Sequence, residues 1–126
     1  MLNIVCVRFD KMEKQRLISS YDEINDTFVG KIDGRNGYNA NYGISEGVFL
    51  NIDENNLPTS VFVNNASEVF DVPKKCLESA NVKISIDCNE NGLSFSMFVE
   101  NSEICSLKCS NDFGIPTLEY LIDCNI

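Results

Sequence analysis

The clearest periodicity lies in the C-terminal third of the chain. In Val82-Lys83-Ile84-Ser85-Ile86-Asp87-Cys88 apolar and polar side chains alternate without a break. That pattern marks a strand with one face on a core and the other in water. Leu93-Ser94-Phe95-Ser96-Met97 repeats it, and Asn89-Glu90-Asn91-Gly92 between them is turn chemistry. Pairing Cys88 with Leu93 puts Ile86 opposite Phe95 and Ile84 opposite Met97, so turn and pattern agree on one register. Strands are expected at 82–88, 93–100, 104–109 and 117–124, forming an antiparallel meander. Cys105, Leu107 and Cys109 share a face with Met97 and Val99 only if the second hairpin loop holds an odd number of residues, three or five. Five places Phe98 opposite Ile104 on the outer face, an apolar pair in a surface of Ser, Asp, Glu and Lys.

Residues 2–9 read as a strand apolar on both sides. Asp10 followed by Glu13 resembles a capping box, and Leu17, Ile18, Tyr21 and Ile24 recur at helical spacing. A helix to about Ile24, packed on the sheet, is therefore expected. Asp22, Glu23 and Asp26 then sit at a helix C-terminus, where acid is unfavourable and is read either as a solvated linker or as an acidic patch. A short strand is expected at Phe28–Ile32. Residues 30–47 look irregular, and Tyr38 and Tyr42 within them suit a contact role, since Tyr offers large area at low entropy cost. Strands at 47–52 and 60–64 flank a turn at 53–58. One helix or two short helical turns follow over 67–80, with Asp71 as a cap, Pro73 in the first turn of the second piece, and Cys76, Leu77 and Ala80 facing the core. The expected fold is a single α+β domain over 1–126: mainly antiparallel sheet, an N-terminal helix and a short second helix.

Composition fits a folded chain. The 126 residues are 44% hydrophobic, enough for a core without staples. No apolar run reaches the length of a membrane span. The apolar opening has no basic leader and no small-residue cleavage site, so a cytosolic protein is expected. Net charge is −9. Acids and bases balance over residues 1–35, so residues 36–126 hold all the excess. Such a surface repels nucleic acid and anionic membrane and steers basic partners toward it.

Six cysteines are present. Cys6, Cys88, Cys105, Cys109 and Cys124 fall on the apolar phase of their strands and read as reduced core thiols. Cys105 and Cys109 are about 13 Å apart along an extended strand, too far to share one zinc in the usual way. The chain has no His, so the commonest general base is missing and triad or Cys–His catalysis is excluded. Neither phosphate-loop nor dinucleotide glycine spacing occurs, and 53–58 lacks calcium-loop ligand spacing. Arg8, Arg16 and Arg35 are too scattered for an anion site, and no basic stripe suits nucleic acid. No cofactor or metal is implied.

What remains is a non-catalytic acidic binding protein for a basic protein. In character, though not by any motif, the chain is similar to bacterial immunity proteins and antitoxins that occlude nuclease-type toxins. The expected partner-binding residues are Tyr38, Tyr42, Asp87, Glu90, Phe98, Glu100 and Glu103. The alternatives are a small accessory or phage-type inhibitor domain, a module holding a small ligand between sheet and helix, and, more weakly, a carboxylate-dependent hydrolase.

Overall fold

A computed structural model describes residues 12–79 and 81–125. The expected strand at 2–9, with Cys6, and also Asp10 and Ala80, lie outside the described residues. The fold is mostly β, with 56% of the described residues in strands and 7% in helices. Nine strands run β1 (Glu13–Asp22), β2 (Thr27–Ile32), β3 (Ala40–Ser45), β4 (Val48–Ile52), β5 (Pro58–Val63), β6 (Val82–Asn89), β7 (Gly92–Val99), β8 (Ser102–Cys109) and β9 (Leu118–Asp123), with short helices α1 (Ala66–Val69) and α2 (Lys74–Leu77) between β5 and β6. They form one nearly closed, barrel-like sheet in the order β3-β4-β5-β2-β1-β9-β6-β7-β8.

The expected N-terminal helix is absent; residues 13–22 are β1. Leu17 and Tyr21 fit a helical stripe, but Gln15, Leu17, Ser19 and Tyr21 also alternate with the exposed Lys14, Arg16, Ile18 and Ser20. Two ladders choose the strand. Residues 17–22 pair antiparallel with β2, and Glu13–Arg16 pair parallel with Tyr120–Asp123 of β9. Tertiary pairing overrides a helical period that only short apolar spacing supported. Asp22 then serves a turn instead of a helix end. Its carboxylate accepts from the amides of Ile24 and Asn25 at 3.0 and 3.1 Å and from the Asn25 side chain at 2.7 Å. Ile24, expected in the core, stands 90% exposed at the tip.

The expected irregular stretch contains β3, which pairs with β4. The β4–β5 hairpin is as expected, and so is the β6–β7 register, Cys88↔Leu93 through Ile84↔Met97. The second hairpin differs. Glu100 and Asn101, both at positive φ (52° and 67°), make a two-residue turn, the conformation that matches strand twist. Phe98 therefore faces Glu103, and the odd residue needed to keep Met97 opposite Cys105 is supplied by a bulge at Ile104. The meander also ends differently: β9 returns beside β6 instead of β8. Asp71 does not cap α2; it sits at φ 53°, and Pro73 holds the N-cap position. Leu77 is buried, whereas Cys76 is exposed.

The core lies inside the barrel. Phe28, Ile32, Leu50, Ile52, Ile84, Ile86, Phe95, Met97 and Ile122 are each at most 1% exposed. The two halves of the barrel meet at Gly30 of β2. A Cβ there would lie 3.1 Å from Ile84 Cδ1 and from Leu17 Cδ1. Side chains thus fill the barrel at this level. Among the described residues no helix is long and apolar enough to cross a membrane.

Candidate partner-binding surface

Strand directions place the β1–β2, β3–β4 and β7–β8 turns and the helical connection at one end of the barrel. The helical connection touches all three turns. The Ala66 amide donates to the Asp26 carbonyl at 2.9 Å, and Lys74 Nζ donates to the Glu23 carbonyl at 3.1 Å. The Ser79 hydroxyl donates to the Glu100 carboxylate. At Gly47 (φ 78°) a Cβ would sit 2.9 Å from Val69 Cγ2, so only glycine fits the backbone at this close approach.

Asp26 is the knot of this end. Its carboxylate accepts from the Tyr21 hydroxyl at 2.6 Å, the Ser67 hydroxyl at 2.6 Å and the Ser67 amide at 3.0 Å. Partial burial pulls its pKa upward, but the bonds from Ser67 and Tyr21, with Lys74 nearby, outweigh this and hold it below the ordinary carboxylate value. Burial, with the same contact to Asp26, pushes the Tyr21 phenol well above 10, keeping it a donor.

The connections at this end present Glu23, Asp26, Glu46, Glu68, Asp71, Glu78 and Glu100 against Lys74 and Lys75. Two grooves open here. One, of about 530 Å3, runs between the end of β1 and α2 and includes Ser19, Tyr21, Leu77, Glu78 and Cys124. The other, of about 420 Å3, lies where β3 and β8 face each other, with Glu46 and Glu68 beside Val69, Cys105 and Leu107. Burial, with Glu103 nearby, pushes the Cys105 thiol up to about 11.

The opposite end is also acidic, with Asp33, Asp53, Glu54, Glu90 and Asp112 in its connections. However, two ion pairs lie on its side, Arg35–Glu13 at 3.7 Å and Arg16–Asp33 at 4.0 Å. Arg35 also lies 5.5 Å over the Tyr120 ring, a cation–π contact that helps fix it as a plug on the core.

The expected site residues do not form one surface. Glu100 and Glu103 belong to the helix-closed end, with Phe98 beside them, half-buried opposite Lys83 and Glu103. Asp87 and Glu90 lie toward the other end of β6, about 20 Å away along the strands. Tyr38 is exposed at that far end. Tyr42 is half-buried and stacks on Phe113, ring centroids 4.3 Å apart. The outer meander face is not uniformly acidic either, since Lys83 and Lys108 interrupt it, and Ser85 and Leu121 on it are buried. Sequence reasoning missed Ile24, Glu46 and Glu68. Exposed Ile24 was hidden by its fit to a helical stripe, while the two glutamates come together only because α1 packs on the β3–β4 turn.

Of the five described cysteines all are free, with Cys88 buried, Cys105, Cys109 and Cys124 half-buried and Cys76 exposed. Among the described residues no cluster of three metal-ligating side chains occurs. No protein-family model, no curated protein and no solved structure matches the chain.

Proposed function

We propose that this chain is a non-catalytic binding protein that neutralises a basic protein, in the manner of an immunity protein covering a cationic nuclease-type toxin, and that it binds through the helix-closed end of the barrel. The observation that carries the reading is the combination at that end of exposed carboxylates with an apolar tip held by hydrogen bonds. Ile24 is 90% exposed between Glu23 and Asn25, on a turn fixed by Asp22, Asp26 and Ser67. Carboxylates speed the encounter with a cationic partner, and a preorganised apolar anchor slows its release. Because the hydrogen bonds of Asp26 already order the turn, little conformational entropy is lost on docking. The partner's Lys and Arg, otherwise free for nucleic-acid phosphates, would be covered by Glu23, Glu46, Glu68 and Glu100.

The test is association with the basic protein captured from the source organism by the wild-type chain, purified and remeasured. Charge reversal of Glu23, Glu68 and Glu100 together should slow association about tenfold or more at low salt. Ile24→Ala should raise the dissociation rate instead. If neither variant changes the complex, this end is not the binding surface.

A further inference from the structure

Asparagine precedes glycine twice in the chain, at Asn36–Gly37 and at Asn91–Gly92. Glycine has no Cβ, so its backbone nitrogen meets little hindrance in closing on the side chain before it. The fold treats the two pairs oppositely. The Asn89 side-chain oxygen accepts from the Asn91 amide at 2.8 Å and from the Gly92 amide at 3.2 Å, and Asn89 faces Gly92 in the β6–β7 ladder. To reach Asn91 Cγ, the Gly92 nitrogen must turn about the Asn91 Cα–C bond and give up its bond to Asn89. Asn36 and Gly37 are instead exposed in the connection between β2 and β3. That connection is anchored on either side of them: the Arg35 amide donates to the Ile32 carbonyl at 3.2 Å, and the Asn39 amide to the Ile52 carbonyl at 2.7 Å. Between the anchors, neither the Gly37 amide nor the Asn36 side chain makes a hydrogen bond among the described residues.

We infer that Asn36–Gly37 is a site of spontaneous modification, at which the asparagine converts to aspartate and isoaspartate and the Arg35 plug loosens. The Gly37 nitrogen loses its proton to hydroxide and bonds to Asn36 Cγ. The Cγ–Nδ2 bond then breaks, and the leaving nitrogen takes a proton from water and departs as ammonia. A water molecule opens the resulting imide at either carbonyl, leaving a carboxylate where a neutral amide stood. The reaction needs only water and base. The new carboxylate arises beside Lys31 and Arg35, which line the same recess of about 130 Å3. It competes for the Arg35 guanidinium, whose contact with Glu13 is long at 3.7 Å. Isoaspartate also adds a backbone carbon to a connection that has no slack: a Cβ at Gly37 would already lie 2.6 Å from Asp53 Cβ. The connection must lift away from Asp53, drawing Arg35 from its place over the Tyr120 ring.

The test is incubation of the full chain at mildly alkaline pH, followed by peptide mapping with mass spectrometry, an ammonia assay and separation of isoaspartate. Asn36 should convert first, with ammonia released in equal amount. Asn91 should convert at least about tenfold more slowly, the factor expected when hydrogen bonds hold the attacking amide and its turn. In denaturant, where neither pair is held, the two should react at similar rates. Asn89→Ala, shown to be folded by circular dichroism, should speed Asn91 about tenfold and leave Asn36 unchanged. Asp33–Gly34, just upstream, can also isomerise, but it releases no ammonia and adds no charge, so the assay separates it from Asn36. Converted protein, isolated by its extra charge, should show faster amide hydrogen exchange over residues 34–39 than fresh protein. If Asn91 reacts as fast as Asn36 in the folded chain, or Asn36 stays intact while the denatured chain converts, the site is overturned. Unchanged exchange over 34–39 in the converted protein overturns the loosening of the plug.

Discussion

Gly30 is the point at which the packing of the barrel can be tested most sharply. A Cβ at this position would meet Ile84 Cδ1 and Leu17 Cδ1 at 3.1 Å and Phe28 Cε2 at 3.3 Å. Those contacts are a few tenths of an ångström too close, and all three neighbours are at most 3% exposed, so none can swing into solvent. Two effects oppose each other in Gly30→Ala. Replacing a strand glycine by alanine gains about 0.5–1 kcal/mol of backbone entropy. Overpacking a tight core costs about 1–3 kcal/mol. Sterics should win, with a net loss of about 1–2 kcal/mol. Urea unfolding followed by circular dichroism would read this as a midpoint lowered by roughly 0.5–1 M, for a slope of about 2 kcal/mol/M. Ile84→Val removes the offending Cδ1 and alone should cost about 1 kcal/mol. The double variant is the decisive one. If the alanine methyl takes the vacated space, the pair should be less destabilised than the two single losses added together, with about 1 kcal/mol of favourable coupling. Strict additivity would refute the claim that the two halves of the barrel meet at Gly30 through Ile84.

Asp26→Ala deletes three hydrogen bonds and leaves a β-carbon at φ 53°; it should destabilise by about 2–3 kcal/mol and raise amide exchange in the 22–27 turn. Because the folded pKa of Asp26 lies below its ordinary 3.8, its contribution is complete above the unfolded value and fades as pH falls through the folded one, so the wild-type midpoint should drop more steeply in acid than that of Asp26→Asn. Of the described cysteines, exposed Cys76 should be modified first by a thiol reagent at pH 8, while Cys88 and Cys105, buried or with a pKa pushed up to about 11, react much more slowly; equal rates at Cys76 and Cys105 would contradict the placement of Cys105 between β3 and β8. Phe113→Ala removes one ring of the Tyr42 stack and should cost about 2 kcal/mol, with hydrogen exchange rising in β3 and β8 more than in β6.

What was legible in the sequence follows from how local each signal is. The β6–β7 hairpin could be read because Val82–Cys88 and Leu93–Met97 alternate over a short turn, so pattern and connection constrain each other. Residues 13–24 could not, because Leu17, Tyr21 and Ile24 satisfy a helical spacing equally well, and the ladders that decide the matter come from β2 and from β9, about a hundred residues away. The odd count between Met97 and Cys105 was correct in phase, but phase cannot distinguish a longer loop from a two-residue turn plus a bulge at Ile104. Charge totals pointed to a basic partner without saying where the carboxylates gather. Glu46 and Glu68 become neighbours only because α1 packs on the β3–β4 turn at Gly47, and Asp87 and Glu90 separate from Glu100 only because β6 runs the length of the barrel.

The most direct measurement is the salt dependence of the association rate with the purified basic partner, for the wild type and for two charge-reversal variants. One carries Lys at 23, 68 and 100 on the helix-closed end, the other Lys at 54, 90 and 112 on the far end. Binding through the helix-closed end predicts that the first variant associates at least about tenfold more slowly at low salt and loses most of the salt dependence, while the second keeps more of both. Equal slowing by the two variants, or slowing by the far-end variant alone, would contradict it.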